Sequence, residues 1–195
     1  MLAIVGTLTF EFQVSLPLIA QFTFHGNAES YAALTAAMGI GAVLGGLITA
    51  GQKKTSVRTL VIAAFLFGLT TLLAAMMPTI ILAILVLLLV GVFSIYFTSL
   101  GNSILQLESA PQMRGRVMAF WSIAFLGSTT IGGPIIGWIG EWEPRWGLAV
   151  GGLAAIIAAG LGAIALRRTP TNTSVTGTSV STEPVTEQKV RAPST

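Results

Sequence analysis

The chain alternates long apolar runs with short polar breaks. Six runs carry the pattern: Leu2–Phe22, Tyr31–Ala50, Thr59–Met77, Thr79–Leu105, Val117–Ile139 and Trp146–Leu166. A helix needs about 20 apolar residues, at about 1.5 Å rise each, to cross about 30 Å of hydrocarbon. Only helices and closed barrels satisfy their backbone polar groups in that medium. These runs are too long for barrel strands and do not alternate apolar with polar positions. The pattern therefore predicts an all-α integral membrane fold of six transmembrane helices. The third and fourth runs are split only by Met77-Pro78. Proline breaks a helix interior and pushes the residue before it out of the helical region, so the two runs read as a hairpin.

Composition strengthens the membrane reading. Hydrophobic residues make up 53% of the chain and charged residues 9%, with mean hydropathy +0.84. Soluble domains carry about 25% charged residues. Charge also sets the orientation. Lys53, Lys54 and Arg58 fall in one loop, Arg114 and Arg116 in another, and Arg167 and Arg168 after the last run. If all six runs cross, these seven share one side, and the opposite side holds only Arg145, beside Glu141 and Glu143. Basic loops stay in the cytoplasm. Both termini are thus expected there, on the cytoplasmic side of the membrane. The net charge of +3 follows from this asymmetry and gives no indication of a nucleic-acid partner.

Met1 opens directly into the first run, without the basic lead that a cleaved signal peptide carries. The chain has no Cys and a single His, His25. No metal and no cofactor is expected, and thiolate chemistry is excluded. Residues 1–167 are expected to form one membrane domain. Residues 168–195 turn to Thr, Ser, Pro and Val, a composition too poor in apolar surface to offset ordering entropy, and are expected to be a disordered cytoplasmic tail. The sequon Asn172-Thr173-Ser174 would lie on the wrong side of the membrane for glycosylation.

The six runs differ in kind. The first carries Thr7, Glu11 and Ser15 at four-residue spacing, with Gln13 nearby, and the fourth carries Ser94, Thr98 and Asn102 in the same way. Residues four apart share a helix face. The second and fifth are glycine-rich, with Gly41-x-x-x-Gly45 and Gly133-Pro134-x-x-Gly137. Such small faces let helices approach closely in lipid. The third and sixth are plain Leu, Ile, Ala and Val, which suits a lipid-facing wall. The order polar, glycine, plain occurs twice. A shift of 87 residues overlays Gly45 on Gly132, Gly46 on Gly133 and Arg58 on Arg145. Two such triplets enter the membrane from opposite sides and make an inverted three-plus-three repeat, a building plan of many secondary transporters. Ser, Thr and Gly also occur as ordinary structural residues of membrane helices. The ordered repetition favours the functional reading.

Glu11 is the only acid inside a run. A charge near mid-membrane costs about 3 kcal/mol on insertion scales. Such a residue faces a bundle interior or a water-filled cavity, so Glu11 is a candidate proton carrier or anchor for a polar or cationic substrate. The alternative is a neutral Glu hydrogen-bonded to a neighbouring helix. Pro17, six residues on, is expected to disturb the same helix. In the loop Glu108–Met118, Ser109 and Gln112 have the spacing of a capping box, with Pro111 in the first turn. Arg114 and Arg116 would sit at the membrane surface, pairing with Glu108, lipid phosphates or a helix C-terminus.

At this loop the chain resembles a known family. Pro111-x-x-Arg114-Gly115-Arg116-Val117-Met118, followed by Gly132-Gly133-Pro134-x-x-Gly137, is similar to the second half of a major facilitator superfamily transporter. The likeness is to the bacterial drug and siderophore efflux branch, with enterobactin-exporter-like and macrolide-efflux-like permeases. It extends to Phe10-Glu11-Phe12-Gln13 and Leu16-Pro17-Leu18 and covers about residues 1–167. Ala50 stands where that family's basic loop motif would have an Asp. The resemblance implies that the first and fourth helices line a cavity, the second and fifth pack between halves, and the third and sixth lie outside. It implies proton-coupled efflux of an amphiphilic small molecule by alternating access. The expected partners are the lipid bilayer, the substrate, and a missing amino-terminal six-helix half or a second copy. The opening at Met1 favours a truncated frame. Two other classes compete. A non-transporting scaffold or accessory subunit would share the helices. An intramembrane enzyme finds no H-E-x-x-H, no G-x-S-x-G and no paired acids within the runs.

Overall fold

The structure is a computed structural model and describes residues 12–52, 56–110 and 112–168. Six helices follow one another: α1 (Phe12–Leu18), which runs into a π-helical turn (Ile19–Thr23), α2 (Ala28–Ala50), α3 (Val57–Met76), α4 (Ile80–Glu108), α5 (Arg114–Trp142) and α6 (Pro144–Arg168). Four of them, α2, α3, α4 and α6, are long and apolar enough to cross a membrane.

The helix boundaries follow local chemistry. Asn27 caps α2, its Oδ1 accepting from the backbone N–H of Glu29 at 3.1 Å and of Ser30 at 3.3 Å. His25 precedes this cap in the left-handed region, at φ 49°. Ser56 caps α3 through the N–H of Arg58. Met77 leaves the helical region at ψ 127°, and α4 begins at Ile80, so Met77-Pro78 makes the expected hairpin turn. Between α5 and α6 a single extended residue, Glu143, replaces the six-residue loop expected from Gly140 to Arg145.

Two helix pairs hold the bundle, and glycines set both. In the first, α2 lies on α4. A Cβ on Gly41 would collide with the Leu88 carbonyl, one on Gly45 with the Val92 carbonyl, and one on Gly91 with the Met38 carbonyl. The two numberings rise together, so these helices run parallel, with α3 as the return stroke between them. In the second pair α3 lies on α6. A Cβ on Gly68 would stand 2.8 Å from the Gly152 carbonyl, and one on Gly152 would stand 2.8 Å from the Leu72 amide nitrogen. Here the numbering runs in opposite directions, and the pair is antiparallel. At its end the Arg145 guanidinium donates to the Met77 carbonyl at 3.3 Å, satisfying the C-terminus of α3. The described part of α1 packs on α5, α6 and α2.

Phe67 of α3 sits at the centre of the core, fully buried. Its ring centroid lies 6.2 Å from that of Phe12 on α1 and 6.3 Å from that of Phe97 on α4, within the range of favourable aromatic pairing. This corrects the expectation that the third run is a lipid-facing wall. Half of the apolar window of α3, 50%, is buried, against 22% for α2. The reason is position: α3 touches both α4 and α6, so its plain Leu, Ala and Phe residues fill the middle. Gly68 and Gly152 are the sequence signal of this pairing within the otherwise plain runs.

Candidate functional site

The described candidate residues fall on four helices, α1, α2, α4 and α5. Thr7, Glu11 and Pro111 lie outside the described residues, as do the basic pair Lys53 and Lys54. Gln13 and Glu108 lie in α1 and α4, and Gly133 in α5, but their side chains and surroundings are likewise outside the description.

The polar stripe on α4 is built from four-residue spacing. Ser94 is buried, and its hydroxyl donates to the Gly91 carbonyl at 2.9 Å. The Thr98 hydroxyl donates to the Ser94 carbonyl at 2.8 Å. Both therefore bond back into their own helix, as Ser and Thr do in membrane helices. Asn102 differs. Its Oδ1 is buried and meets no donor. An unsatisfied buried acceptor costs about 1–3 kcal/mol, so this oxygen is open to a donor from a ligand, a water or a neighbouring chain. Below it, Gln52 Nε2 donates to the Tyr96 hydroxyl, which ties the end of α2 to α4. About three turns of α4 then extend beyond the end of α2.

Ser15 is buried on α1. Two residues on, Pro17 stands inside the helix. Proline has no N–H and crowds the carbonyl four residues back. The backbone responds with the π-helical turn at Ile19–Thr23, closed by the Phe24 N–H on the Ile19 carbonyl at 3.1 Å. The disturbance expected at Pro17 is thus a widened turn, a feature common at functional sites. The Thr23 hydroxyl at its end is buried and also lacks a partner. Among the described residues, the rings of Phe12, Phe67 and Phe97 link the two polar helices.

The loop between α4 and α5 corrects one expectation. Ser109 does not start a helix: it ends α4, and its hydroxyl turns back to the Leu105 carbonyl. The N-cap of α5 is Met113, without a side-chain bond, so the Ser109–Gln112 capping box does not form. Arg114 Nε donates to the Ser109 carbonyl at 3.3 Å. Two cations at the start of α5 oppose its dipole, and the carbonyl end of α4 offsets this for Arg114. Gly115 and Arg116 are exposed.

The glycine faces are corrected as well. The resemblance implies that the second helix, with Gly41 and Gly45, packs between halves. Both glycines are covered by α4 of the same chain. On α5, Pro134 is exposed, and a Cβ on Gly137 would meet Val14 of α1 at 3.7 Å, an ordinary contact. Among the described residues no group of His, Cys, Asp or Glu could hold a metal ion.

No curated protein and no solved structure matches the chain. The family described as transmembrane secretion effector, of the major facilitator type, matches residues 4–193. That span includes all six helices, so the chain belongs to this family of membrane-embedded transporters.

Proposed function

We propose that the chain is the carboxy-terminal half of an efflux permease, with six spans in an inverted three-plus-three repeat and both termini cytoplasmic. It moves an amphiphilic small molecule, such as a drug or siderophore, outward across a bacterial inner membrane by alternating access, against an inward proton flow. The observation that carries this reading is the pairing of helices. Exchanging the first three helices for the last three turns the α2–α4 pair into α5–α1, and returns α3–α6 to itself. All three contacts occur, as an inverted repeat requires. The unsatisfied Asn102 oxygen supports α4 as a cavity helix, and Glu11, with Thr7, Gln13, Ser15, Ser94 and Thr98, is its expected polar lining. The amino-terminal half, or a second copy, covers the exposed face of α2.

Efflux from inverted vesicles of the two-half transporter under an imposed pH gradient tests this. Glu11→Gln keeps shape and hydrogen bonding but removes the proton. Efflux should fall steeply and lose its pH dependence while insertion is preserved. Near-normal efflux with unchanged pH dependence would remove Glu11 from the proton route. Asn102→Leu should lower transport with no loss of thermal stability, because the oxygen it removes makes no bond within the chain.

A further inference from the structure

The junction of α5 and α6 carries an arrangement that the transport reading does not use. Trp138, Trp142 and Trp146 recur every four residues and are all exposed, Trp142 at 82%. With Ile139 and Glu143 they line a cavity of ≈ 520 Å³. A second cavity of ≈ 370 Å³ shares Glu143 and Trp146 and adds Arg145, Ala75, Met76 and Ala149. The two are neighbours across a common wall, one aromatic with a carboxylate, the other bearing a guanidinium.

We infer that this pair of cavities is a binding site for one zwitterionic phospholipid headgroup, its ammonium among the tryptophans and Glu143 and its phosphate on Arg145. Three features of the site select that ligand. The ammonium side has the best cation–π partners and an exposed carboxylate. The phosphate side has a guanidinium that spends one bond on the Met77 carbonyl and keeps further donors in its planar fork. A simple organic cation would gain nothing from Arg145 beside it, and a simple anion would meet Glu143. Position supplies the third argument. The site lies at the end of the spans opposite the basic loops, where tryptophans sit at headgroup level. Below Ala149 on the same face of α6, Leu153 and Ile157 are exposed, and Leu73 and Met76 are exposed on α3. Acyl chains have an apolar track to follow from the headgroup.

Native mass spectrometry of the full chain, equilibrated with equal amounts of phosphatidylethanolamine, phosphatidylglycerol and diacylglycerol, tests the inference. Phosphatidylethanolamine should be retained about tenfold over each of the others, equivalent to about 1.4 kcal/mol. Glu143→Gln and Trp142→Ala, both at exposed positions, should bring the ratio to parity with helicity by circular dichroism unchanged, and Trp142→Phe should keep part of it. Arg145→Gln should lose the preference over diacylglycerol. Equal retention of phosphatidylglycerol or diacylglycerol by the unaltered chain would overturn the site. So would a preference that survives Glu143→Gln and Trp142→Ala together, or displacement of the lipid by tetrabutylammonium with undiminished tetrabutylammonium binding in Arg145→Gln.

Discussion

The two faces of α2 have nearly the same chemistry and opposite fates. One face, Leu34, Ala37, Gly41 and Gly45, is buried against the rest of the chain. The other, Ile40, Val43, Leu44, Leu47 and Ile48, is exposed, and a Cβ on Gly39 would meet nothing within 4 Å. Hydrophobicity does not separate them, because a membrane helix is apolar all round. What separates them is reach. On the inner face the α4 backbone comes so close that no side chain fits at Gly41 or Gly45. On the outer face the large side chains stand clear of the chain. In lipid, close approach of small residues stabilises helix pairs through dispersion and backbone contact. The inner face is where α2 gains its position, and the outer face is what it offers to lipid or to a partner.

The contrast is broken most directly from the inside. Gly45→Leu places a side chain where the Val92 carbonyl stands. Overpacking of a core costs about 1–3 kcal/mol when side chains can yield, and here the obstacle is backbone. The variant should lose the α2–α4 pair, aggregate on extraction, and fail to show a cooperative thermal transition in detergent. Gly91→Leu, which meets the Met38 carbonyl from the opposite helix, should fail in the same way. Folding of either with an unchanged melting temperature would show that α2 and α4 are not in this register.

Gly68→Val sets a smaller effect beside it. Its new Cβ would stand 2.8 Å from the Gly152 carbonyl but also 2.9 Å from Ala155 Cβ and from Ile156 Cγ1. Part of the obstacle is side chain, and the antiparallel pair is further tied by Arg145 on Met77. The expected loss is about 1–3 kcal/mol, read as a lowered melting temperature with the fold retained. A loss as complete as that of Gly45→Leu would mean that the two glycine contacts are equally unyielding.

Much of this architecture is legible in the sequence, for reasons that also mark the limits. The Met77-Pro78 hairpin is visible because proline acts locally. Five of the six runs become helices close to their expected bounds, because a long apolar run satisfies its backbone polar groups internally only as a helix. Of the first run, the structure describes only Phe12 onward. Gly41-x-x-x-Gly45 announces a close approach but cannot say by which helix, and its assignment to a second half was wrong for that reason. The plain third run looked peripheral because composition carries no information on how many neighbours a helix has. Ser109 could cap the helix after it or end the helix before it, and the spacing to Gln112 fits both. The α4 stripe was legible as a face, yet only the structure separates Ser94 and Thr98, whose hydroxyls bond within the helix, from Asn102, whose oxygen does not. Glu11, on which the proposed proton route rests, lies outside the described residues.

The outer face of α2 supplies the sharpest and smallest test. Gly39→Leu adds a large apolar side chain where nothing stands within 4 Å. If that face met only lipid, the change would be silent, since surface substitutions away from special features stay within about 0.5 kcal/mol. The melting temperature of the chain alone should indeed not move. If the face docks another six-helix half or a second copy, as proposed, the same leucine must intrude between Ile40 and Val43 and the incoming helix. Cross-linking between the halves, or between copies, should then be lost and efflux with it. The two readings are separated by one variant whose effect on stability is nil: intact cross-linking and normal efflux in Gly39→Leu would leave α2's outer face to the lipid alone.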